Sequence, residues 1–225
     1  MISRYTALVS DLSLAEAAAL PEVYATAWLN LFQLAALEPG EKVLLHAGAS
    51  GVGSAAIQLC KAFGNPCWVS VGSPRRLAYC VGLGAQGGVL RGEGLTGLSA
   101  FAPFDVILDP VGGAYANLNL QLLALDGRWL NIGLMGGRSA ELDFARLLAK
   151  RVQLSGSTLR NRDDLFKAEL LADLRQHVWP LFALGRLKPQ LQQCFPADQA
   201  GAAFAALASN AVNGKLVLQL DASLI

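Results

Sequence analysis

The chain has 225 residues, of which 53% are hydrophobic and 16% are charged, and its 18 basic and 17 acidic residues leave a formal net charge of +1. This length suits one large α/β domain with a sizeable core. The near balance of charge, without a long basic run, argues against a nucleic-acid surface, and no apolar segment is long enough to span a bilayer. Arg4, Asp11 and Glu16 interrupt the first twenty residues in a way that does not match a signal peptide, so we expect a cytoplasmic protein.

A metal centre is not predicted, because the possible ligands are few and scattered. The two histidines, His46 and His177, lie far apart in the sequence. The cysteines form no C-x-x-C pair, which argues against both a zinc knuckle and a disulfide framework. We therefore expect buried free thiols at Cys60, Cys67, Cys80 and Cys194.

Strand and helix patterns alternate along the chain. An alanine-rich helical segment at 14–37, interrupted at Pro21, precedes the first strand. Strands are predicted at 43–45, 67–71, 88–90, 104–108, 128–132, 152–155 and 215–220. Helices are predicted after a glycine turn at 48–53 and at 75–83, 115–123, 144–150, 163–184 with a break near Pro180, and 199–208. The alternation predicts an α/β fold of the Rossmann type, a doubly wound parallel sheet with helices on both faces.

The glycine turn has the spacing G-x-x-G-x-G and joins an apolar strand to an amphipathic helix. Gly48 can take the tight turn off the strand, Gly51 lets backbone approach a pyrophosphate, and Gly53 lets the helix pack closely on the strand. Free amides at the helix start would face the phosphates along a favourable dipole. The predicted contacts are Gly48, Ser50, Gly51, Val52 and Gly53. A purely structural turn is the alternative interpretation.

Basic rather than acidic side chains follow the second predicted strand. An NAD-specific chain carries a carboxylate about 20 residues beyond the glycine turn, whereas this chain has Gly72, Ser73, Arg75 and Arg76 there. A hydroxyl and two guanidinium groups favour a 2′-phosphate, so the sequence predicts NADPH as cofactor. Alternatively, Ser73 caps a helix that begins at Pro74, and the arginines are solvated. Arginines in a first turn oppose the helix dipole, which favours an external anion.

Seven stretches of the chain together resemble a known family. They are AAALPEVYATAW at 17–28, LLHAGASGVGSAAIQL at 44–59, GSPRRL at 72–77, LDPVGG at 108–113, LALDGRWLNIGLMGG at 123–137, LRNRD at 159–163 and NGKLVL at 213–218. They are similar to the zinc-independent quinone oxidoreductases of the medium-chain dehydrogenase/reductase superfamily, in the branch related to the tumour-suppressor-inducible quinone oxidoreductase. The resemblance extends from about residue 12 to about residue 220.

The resemblance implies an NADPH-dependent quinone oxidoreductase that forms a homodimer through sheet edges. In such enzymes a catalytic domain with a GroES-like fold comes first, and most of it has no counterpart in this chain. We therefore expect residues 1–37 to be a linker remnant and connecting helix, 38–160 the dinucleotide-binding core, and 161–225 a C-terminal helix and return strands. The substrate pocket would then be only half built.

The resemblance also implies further cofactor contacts. By position, Gly133, Leu134 and Met135 present backbone to the nicotinamide amide. The other implied contacts are Thr26 and Leu159 beside the ring, Asn213 and Lys215 from the C-terminal part, and Arg91 in place of a tyrosine near the adenosine phosphate. Core packing is the alternative for Leu134, Met135 and Leu159, a surface role for Lys215, and a solvent-exposed position for Arg91.

No general acid is predicted. Hydride transfer to an electrophilic quinone depends mainly on how the protein positions the cofactor, so the catalytic residues remain unassigned. We expect His46 to be structural and Asp109 to hold loops or a ribose hydroxyl. Three other functions compete: reduction of an activated alkene such as an enoyl thioester, zinc-dependent alcohol oxidation, which lacks its ligands here, and a catalytically incomplete module that binds NADPH and dimerises.

Overall fold

A computed structural model describes residues 12–220, and its centre is a six-stranded sheet. The strands are β1 (Val43–His46), β2 (Cys67–Val71), β3 (Gly87–Leu90), β4 (Phe104–Asp109), β5 (Leu123–Asn131) and β6 (Gln153–Gly156). They pair in parallel in the order β3-β2-β1-β4-β5-β6. The order changes direction between β1 and β4, which is the doubly wound arrangement predicted from the sequence. The predicted fold class is confirmed.

Helices cover both faces of this sheet. They are α1 (Leu14–Ala18), α2 (Pro21–Trp28), α3 (Gly51–Phe63), α4 (Pro74–Leu83), α5 (Ala116–Leu122), α6 (Phe144–Lys150), α7 (Asp164–His177), α8 (Trp179–Ala183) and α9 (Ala200–Ala208). A π-helix, Leu29–Leu34, continues α2. Along β1, Val43 and Leu45 enter one apolar cluster while Leu44 enters the other. Alternate side chains point to opposite faces, so both faces of the sheet are buried.

The C-terminal part follows the prediction in one place and differs from it in another. The helix predicted at 163–184 with a break near Pro180 is two helices, because the chain breaks at Val178 and Pro180 lies in the first turn of α8. An unpredicted strand, β7 (Leu191–Pro196), pairs in parallel with β8 (Lys215–Gln219) as a separate two-stranded sheet. Arg4 and Asp11, on which the expectation about a signal peptide partly rests, lie outside the described residues.

The cysteines follow the expectation closely. Cys60, Cys67 and Cys80 are buried free thiols, and Cys194 is half-buried. A hydrogen bond to Cys67 and burial hold the pKa of Cys60 well above its ordinary value, and burial raises the pKa of Cys80 to about 12. Cys60 and Cys80 therefore stay protonated and act as small apolar groups.

Between residues 12 and 220, none of the helices combines the length and the apolar character that a bilayer crossing requires.

Helix α7 packs against α2 and fixes the position of both. The indole nitrogen of Trp28 donates a hydrogen bond of 2.6 Å to Asp173, and Gln33 donates to the same carboxylate oxygen at 2.9 Å. Tyr24 contacts the ring of Phe182 edge-on, at 5.1 Å between centroids. Helices α2, α7 and α8 thus pack against one another as one group.

We expect Leu174→Ala to lower the free energy of unfolding by about 2–5 kcal/mol, because Leu174 is 0% exposed in α7 and its loss leaves a cavity. Urea denaturation measures this change. Leu165→Ala is the matched control, since Leu165 lies on the same helix but is 70% exposed, and its effect should stay below about 0.5 kcal/mol. Equal effects of the two substitutions would contradict the packing described here.

Candidate functional site

A large cleft of about 1290 Å³ lies at the carboxyl ends of the central strands. In open parallel sheets this edge, where the strand order reverses, is where ligands bind. The cleft is bounded by α2, by the turn between β1 and α3, by α7, and by the segment that leads into β8. Its position alone marks it as the candidate functional site.

The start of α3 faces this cleft. Ser50 is the N-cap, and its hydroxyl accepts a hydrogen bond of 3.1 Å from the Gly53 amide. The amides of Gly51 and Val52 belong to the first turn, where the helix offers no acceptor. Ser50, Gly51, Val52 and Gly53 all line the cleft. The helix start is therefore available to an anion, as the sequence predicts.

Two glycines of the turn differ in role. The left-handed residue after β1 is Ala47, with φ +54°, rather than Gly48. A Cβ on Gly48 would lie 2.6 Å from the Val69 side chain, so this glycine allows the turn to pack on β2 and lies outside the cleft lining. A Cβ on Gly53 would lie 2.6 Å from the carbonyl oxygens of Ala47 and Gly48. Gly53 therefore makes the predicted close packing possible.

The C-terminal segment closes over the glycine turn. The Gly214 amide donates a hydrogen bond of 3.0 Å to the Ala49 carbonyl. The methylenes of Lys215 fill the space above Gly51, where an added Cβ would lie 2.7 Å from Cδ of the lysine. The Lys215 ammonium pairs with Glu22 at 3.1 Å. Lys215 thus lies directly beside the start of α3.

Two guanidinium groups converge above Gly72 at the carboxyl end of β2. A Cβ on Gly72 would lie 3.3 Å from one nitrogen of Arg91 and 3.6 Å from one of Arg76. Arg76 donates to the carbonyls of Asn210 and Val212, the latter at 3.1 Å. The Arg91 side chain has no hydrogen-bond or ion-pair partner within residues 12–220. Both arginines line the cleft and form a local cationic pair.

Ser73 and Arg75 lie beside this pair but outside the cleft lining. The Ser73 hydroxyl accepts a hydrogen bond from the Arg76 amide and caps α4, which begins at Pro74 as the alternative interpretation predicts. Arg75 is exposed on the first turn of α4. The cap fixes the direction in which Arg76 leaves the helix.

A buried polar chain fixes the floor of the cleft. Asn119 donates to Asp109 at 2.9 Å, so its amide oxygen faces Nε2 of His46 at 2.8 Å. Nε2 therefore carries the proton, and Nδ1 accepts from the Ser70 hydroxyl at 2.8 Å. Burial lowers the pKa of His46, against the opposing charge of Asp109. The imidazole is neutral, in keeping with the structural role expected from the sequence.

Asp109 holds a loop, as the sequence predicts. It is 0% exposed and accepts hydrogen bonds from the amides of Val111 at 2.7 Å and Gly112 at 3.1 Å. The Trp129 indole donates to it at 3.1 Å. The carboxylate lies outside the cleft lining, so the described geometry gives it no contact with a ribose.

Only some of the remaining candidate residues line the cleft. Thr26, Met135 and Leu159 line the cleft, whereas Gly133, Leu134 and Asn213 do not. Leu134 and Met135 are 54% and 73% exposed, so core packing, the alternative interpretation, is wrong for both. Leu159 is half-buried and packs against the larger core cluster while it also faces the cleft.

One end of the cleft was not predicted from the sequence. Lys167, Leu170 and Leu171 share one face of α7 and line the cleft together with Arg160. The spacing i, i+3, i+4 was visible in the sequence. However, only the packing of α7 on α2 shows that this face meets a cavity rather than the core.

The comparisons identify the family. A zinc-binding dehydrogenase profile matches residues 51–173. The chain belongs to this family. It lies within the medium-chain dehydrogenase/reductase superfamily, and the chain is 32% identical to the quinone oxidoreductase of Thermus thermophilus, solved also as its complex with NADPH. That match has a TM-score of 0.82 and covers 93% of this chain and 68% of the other.

The chain is also similar to a polyketide synthase protein and to an enoyl reductase. It is 34% identical over 216 residues to the spectinabilin polyketide synthase system protein NorB of Streptomyces orinoci, which covers 93% of this chain and 10% of NorB. It is 28% identical to the CurK enoyl reductase, with a TM-score of 0.74 and coverage of 92% and 63%. The chain therefore spans only part of each of these proteins.

The family name implies zinc, but the described residues do not fit this metal. Between residues 12 and 220, no group of three or more His, Cys, Asp or Glu side chains is arranged to bind a metal ion. His46 is saturated by Ser70 and Asn119, and three of the four thiols are buried. We derive no chemistry from zinc in this part of the chain.

We expect Gly53→Ala to destabilise the protein by about 1–3 kcal/mol, because its methyl group would collide with backbone oxygens that cannot move independently. Gly82→Ala is the control, since a Cβ there meets open space within α4, and it should stabilise by about 0.5–1 kcal/mol. Chemical denaturation of both variants measures the difference. A neutral Gly53→Ala would contradict the close packing of the turn.

His46 predicts a pH dependence of stability. The folded protein keeps His46 neutral, while the unfolded chain takes up a proton below about pH 6.5. The unfolded state then binds more protons, so the free energy of unfolding should fall as the pH drops from about 7 to 5, by at most about 1.4 kcal/mol per unit. Denaturation at several pH values measures this slope.

His46→Gln should flatten this slope even though it lowers stability, because it removes the titrating group. His177→Gln, at the end of α7, should leave the contribution of His46 in place. An unchanged slope in His46→Gln would contradict this account, because it would show that the imidazole binds protons equally in the folded and unfolded states.

Proposed function

We propose that this chain forms the NADPH-binding portion of an oxidoreductase that reduces a quinone. The observation that carries the proposal is the cleft itself, in which the start of α3 lies between the cationic pair above Gly72 and an apolar end lined by α7. When bound, NADPH supplies a hydride. The quinone takes up this hydride and a proton from water and leaves as the hydroquinone, while the cofactor leaves as NADP⁺.

The adenosine 2′-phosphate would lie above Gly72. Arg91 has no partner in the described part of the chain, and Arg76 is oriented by the Ser73 cap and by two carbonyl groups. Guanidinium groups form forked hydrogen bonds to phosphate, and an unpaired one at a cleft gains most from such a partner. Gly72 leaves room for the phosphate between them. Ser73 and Arg75 remain proposed contacts at the edge of this site.

The pyrophosphate would lie at the start of α3. The free amides there are those of Gly51 and Val52, at the positive end of the helix dipole. The amides of Ser50 and Gly53 donate to the Ala47 carbonyl and to the Ser50 hydroxyl, so these two residues would shape the turn around the phosphates. Lys215 would exchange Glu22 for a phosphate oxygen, since its ammonium is held by a carboxylate that is 63% exposed. An ion pair so exposed to water is weak, and a desolvated phosphate is the stronger partner.

The nicotinamide would lie between α2 and the carboxyl end of β5. Thr26 and Leu159 would flank the ring, and the backbone at Gly133, Leu134 and Met135 would orient its carboxamide. Asn213 would contact the cofactor from the C-terminal segment. The protein contributes position and exclusion of water rather than a general acid, because the neutral His46 is engaged on both ring nitrogens.

A second candidate is the reduction of an activated alkene such as an enoyl thioester. The similarity to NorB and to the CurK enoyl reductase supports it. A third is a module that binds NADPH and dimerises without turnover. The edge strand β6 supports a homodimer, since Leu154 on β6 and Phe144 and Leu148 on α6 are all exposed.

The proposal includes the finer assignments made from the sequence. These are the branch related to the tumour-suppressor-inducible quinone oxidoreductase, a cytoplasmic location, and the division into residues 1–37, 38–160 and 161–225. Residues 161–225 also line the cleft, through α7, α9 and β8.

Cofactor affinity tests the proposal. We expect fluorescence titration to show tighter binding of NADPH than of NADH. Arg76→Ala and Arg91→Ala should each weaken NADPH binding by about 10- to 100-fold, since each loses a charged hydrogen bond, and should leave NADH binding unchanged. Arg146→Ala is the control, because Arg146 pairs with Asp143 on α6 outside the cleft lining. Equal losses for both cofactors would overturn the phosphate assignment.

Turnover separates the three candidate functions. Oxidation of NADPH with a neutral ortho- or para-quinone supports quinone reduction, and oxidation with a 2-enoyl thioester alone supports the second candidate. Tight NADPH binding with neither acceptor turned over supports the binding module.

A further inference from the structure

The cleft carries more positive charge than NADPH needs. Among the described residues that line it, five are basic and one, Glu22, is acidic; the basic ones are Arg76, Arg91, Arg160, Lys167 and Lys215. Under the proposed function, Arg76 and Arg91 face the 2′-phosphate and Lys215 faces the pyrophosphate. Two cations remain without a phosphate of the cofactor.

These two cations lie far from the adenosine end. Arg160 follows β6, which is four strands away from β2 in the sheet, and four strand spacings amount to roughly 19 Å. The nicotinamide end of a dinucleotide carries no phosphate. Arg160 and Lys167 therefore lie where the cofactor itself offers no anion.

Neither cation is neutralised within the part of the chain that the structure describes. The Arg160 side chain has no hydrogen-bond or ion-pair partner there, and the Lys167 ammonium has only the Arg160 carbonyl, at 3.5 Å. The carboxylates nearest in sequence, Asp163 and Asp164, lie outside the cleft lining, and Asp163 caps α7. A half-buried ammonium without a carboxylate favours an external anion.

An apolar wall adjoins the two cations. Leu170 and Leu171 follow Lys167 on the same face of α7, and Leu29, Ile132 and Leu159 line the cleft with them. A surface that joins apolar side chains to two unpaired cations fits a molecule with an apolar reactive part and an anionic group.

We propose that Arg160 and Lys167 bind an anionic group on the hydride acceptor. The acceptor would place its reducible part against the apolar wall beside the nicotinamide and its anionic group between the guanidinium and the ammonium. A phosphate on the pantetheine arm of a thioester and a sulfonate or carboxylate on a quinone share this chemistry. The inference rests on the proposed function, because NADPH supplies the hydride.

Matched pairs of acceptors test the inference. The ratio of kcat/KM is measured for 2-enoyl-coenzyme A against the same acyl chain on N-acetylcysteamine, and for a naphthoquinone sulfonate against the unsubstituted naphthoquinone. We expect Arg160→Met and Lys167→Met to lower kcat/KM for the anionic member of the preferred pair by about tenfold each or more. The neutral member should be unaffected, because methionine keeps the apolar stem.

Arg162→Met is the matched control. Arg162 lies in the same segment and carries the same charge, but it packs over the Phe166 ring at 4.5 Å and lies outside the cleft lining. This variant should behave as the unchanged chain. The pair of acceptors in which the effect appears identifies the source of the anion, a thioester carrier or a substituted quinone.

A binding measurement gives a readout besides activity. Calorimetry of coenzyme A and of a naphthalene sulfonate, each added to the chain saturated with NADP⁺, should show binding that Arg160→Met and Lys167→Met weaken about tenfold and Arg162→Met does not. If binding of either anion depends on Arg160 and Lys167, the inference is supported even when no acceptor is turned over. In that case the proposed quinone reduction is wrong, but the anion site is supported.

Three results would overturn the inference. The first is an equal loss of kcat/KM for charged and neutral acceptors in Arg160→Met or Lys167→Met. The second is a loss of NADPH affinity in either variant. The third is a chain that binds NADPH and reduces a neutral quinone but shows neither binding of the anions nor a preference for anionic acceptors. In the last case the proposed function stands and the anion site fails.

Discussion

The burial of one carboxylate governs the edge of the sheet on which the cleft is built. Within residues 12–220 Asp109 forms no ion pair, and it accepts hydrogen bonds from four N–H donors, those of Val111, Gly112, Asn119 and Trp129. Asn119 also accepts a hydrogen bond from His46, which in turn accepts one from Ser70, so the carboxyl ends of β1 and β2 are connected to Asp109. A single buried carboxyl group therefore links the carboxyl ends of four neighbouring strands, on which the cleft is built.

Much of the fold could be predicted from the sequence, because its local and long-range signals agree. The apolar runs at 43–45 and 104–108 are typical of strands buried on both faces, and the caps at Ser50, Ser73 and Asp163 mark helix starts. The strand β7 was missed because Gln192 and Gln193 interrupt its apolar pattern and its partner β8 lies some twenty residues later. Most residues of this two-stranded sheet are half-buried or exposed, so its strands show little alternation of apolar and polar residues.

The candidate site could be predicted only where its residues come from one contiguous segment of the sequence. The glycine turn and the arginines after β2 are contiguous motifs, so their residue types indicate their chemistry. The role of each residue in these motifs could not be predicted, because it depends on residues that are distant in sequence. Arg76 donates hydrogen bonds to the carbonyls of residues 210 and 212, and Gly48 is required because the Val69 side chain packs against it. The part of the cleft lined by α7 could not be predicted for the same reason, because an apolar helix face has the same sequence pattern whether it packs on a core or lines a cavity.

Because the segment before β8 closes over the glycine turn, the cleft is a joint between parts of the chain that lie far apart in sequence. Glu22 and Lys215 are 193 positions apart, and Ser50 pairs with Gly214 in a short bridge. Forming this joint requires the closure of a very long loop, which costs conformational entropy. A molecule bound in the cleft touches both sides of this joint, so its binding holds α2 and the segment before β8 together and raises stability by mass action. Loaded copies would then outlast empty ones in the presence of proteases.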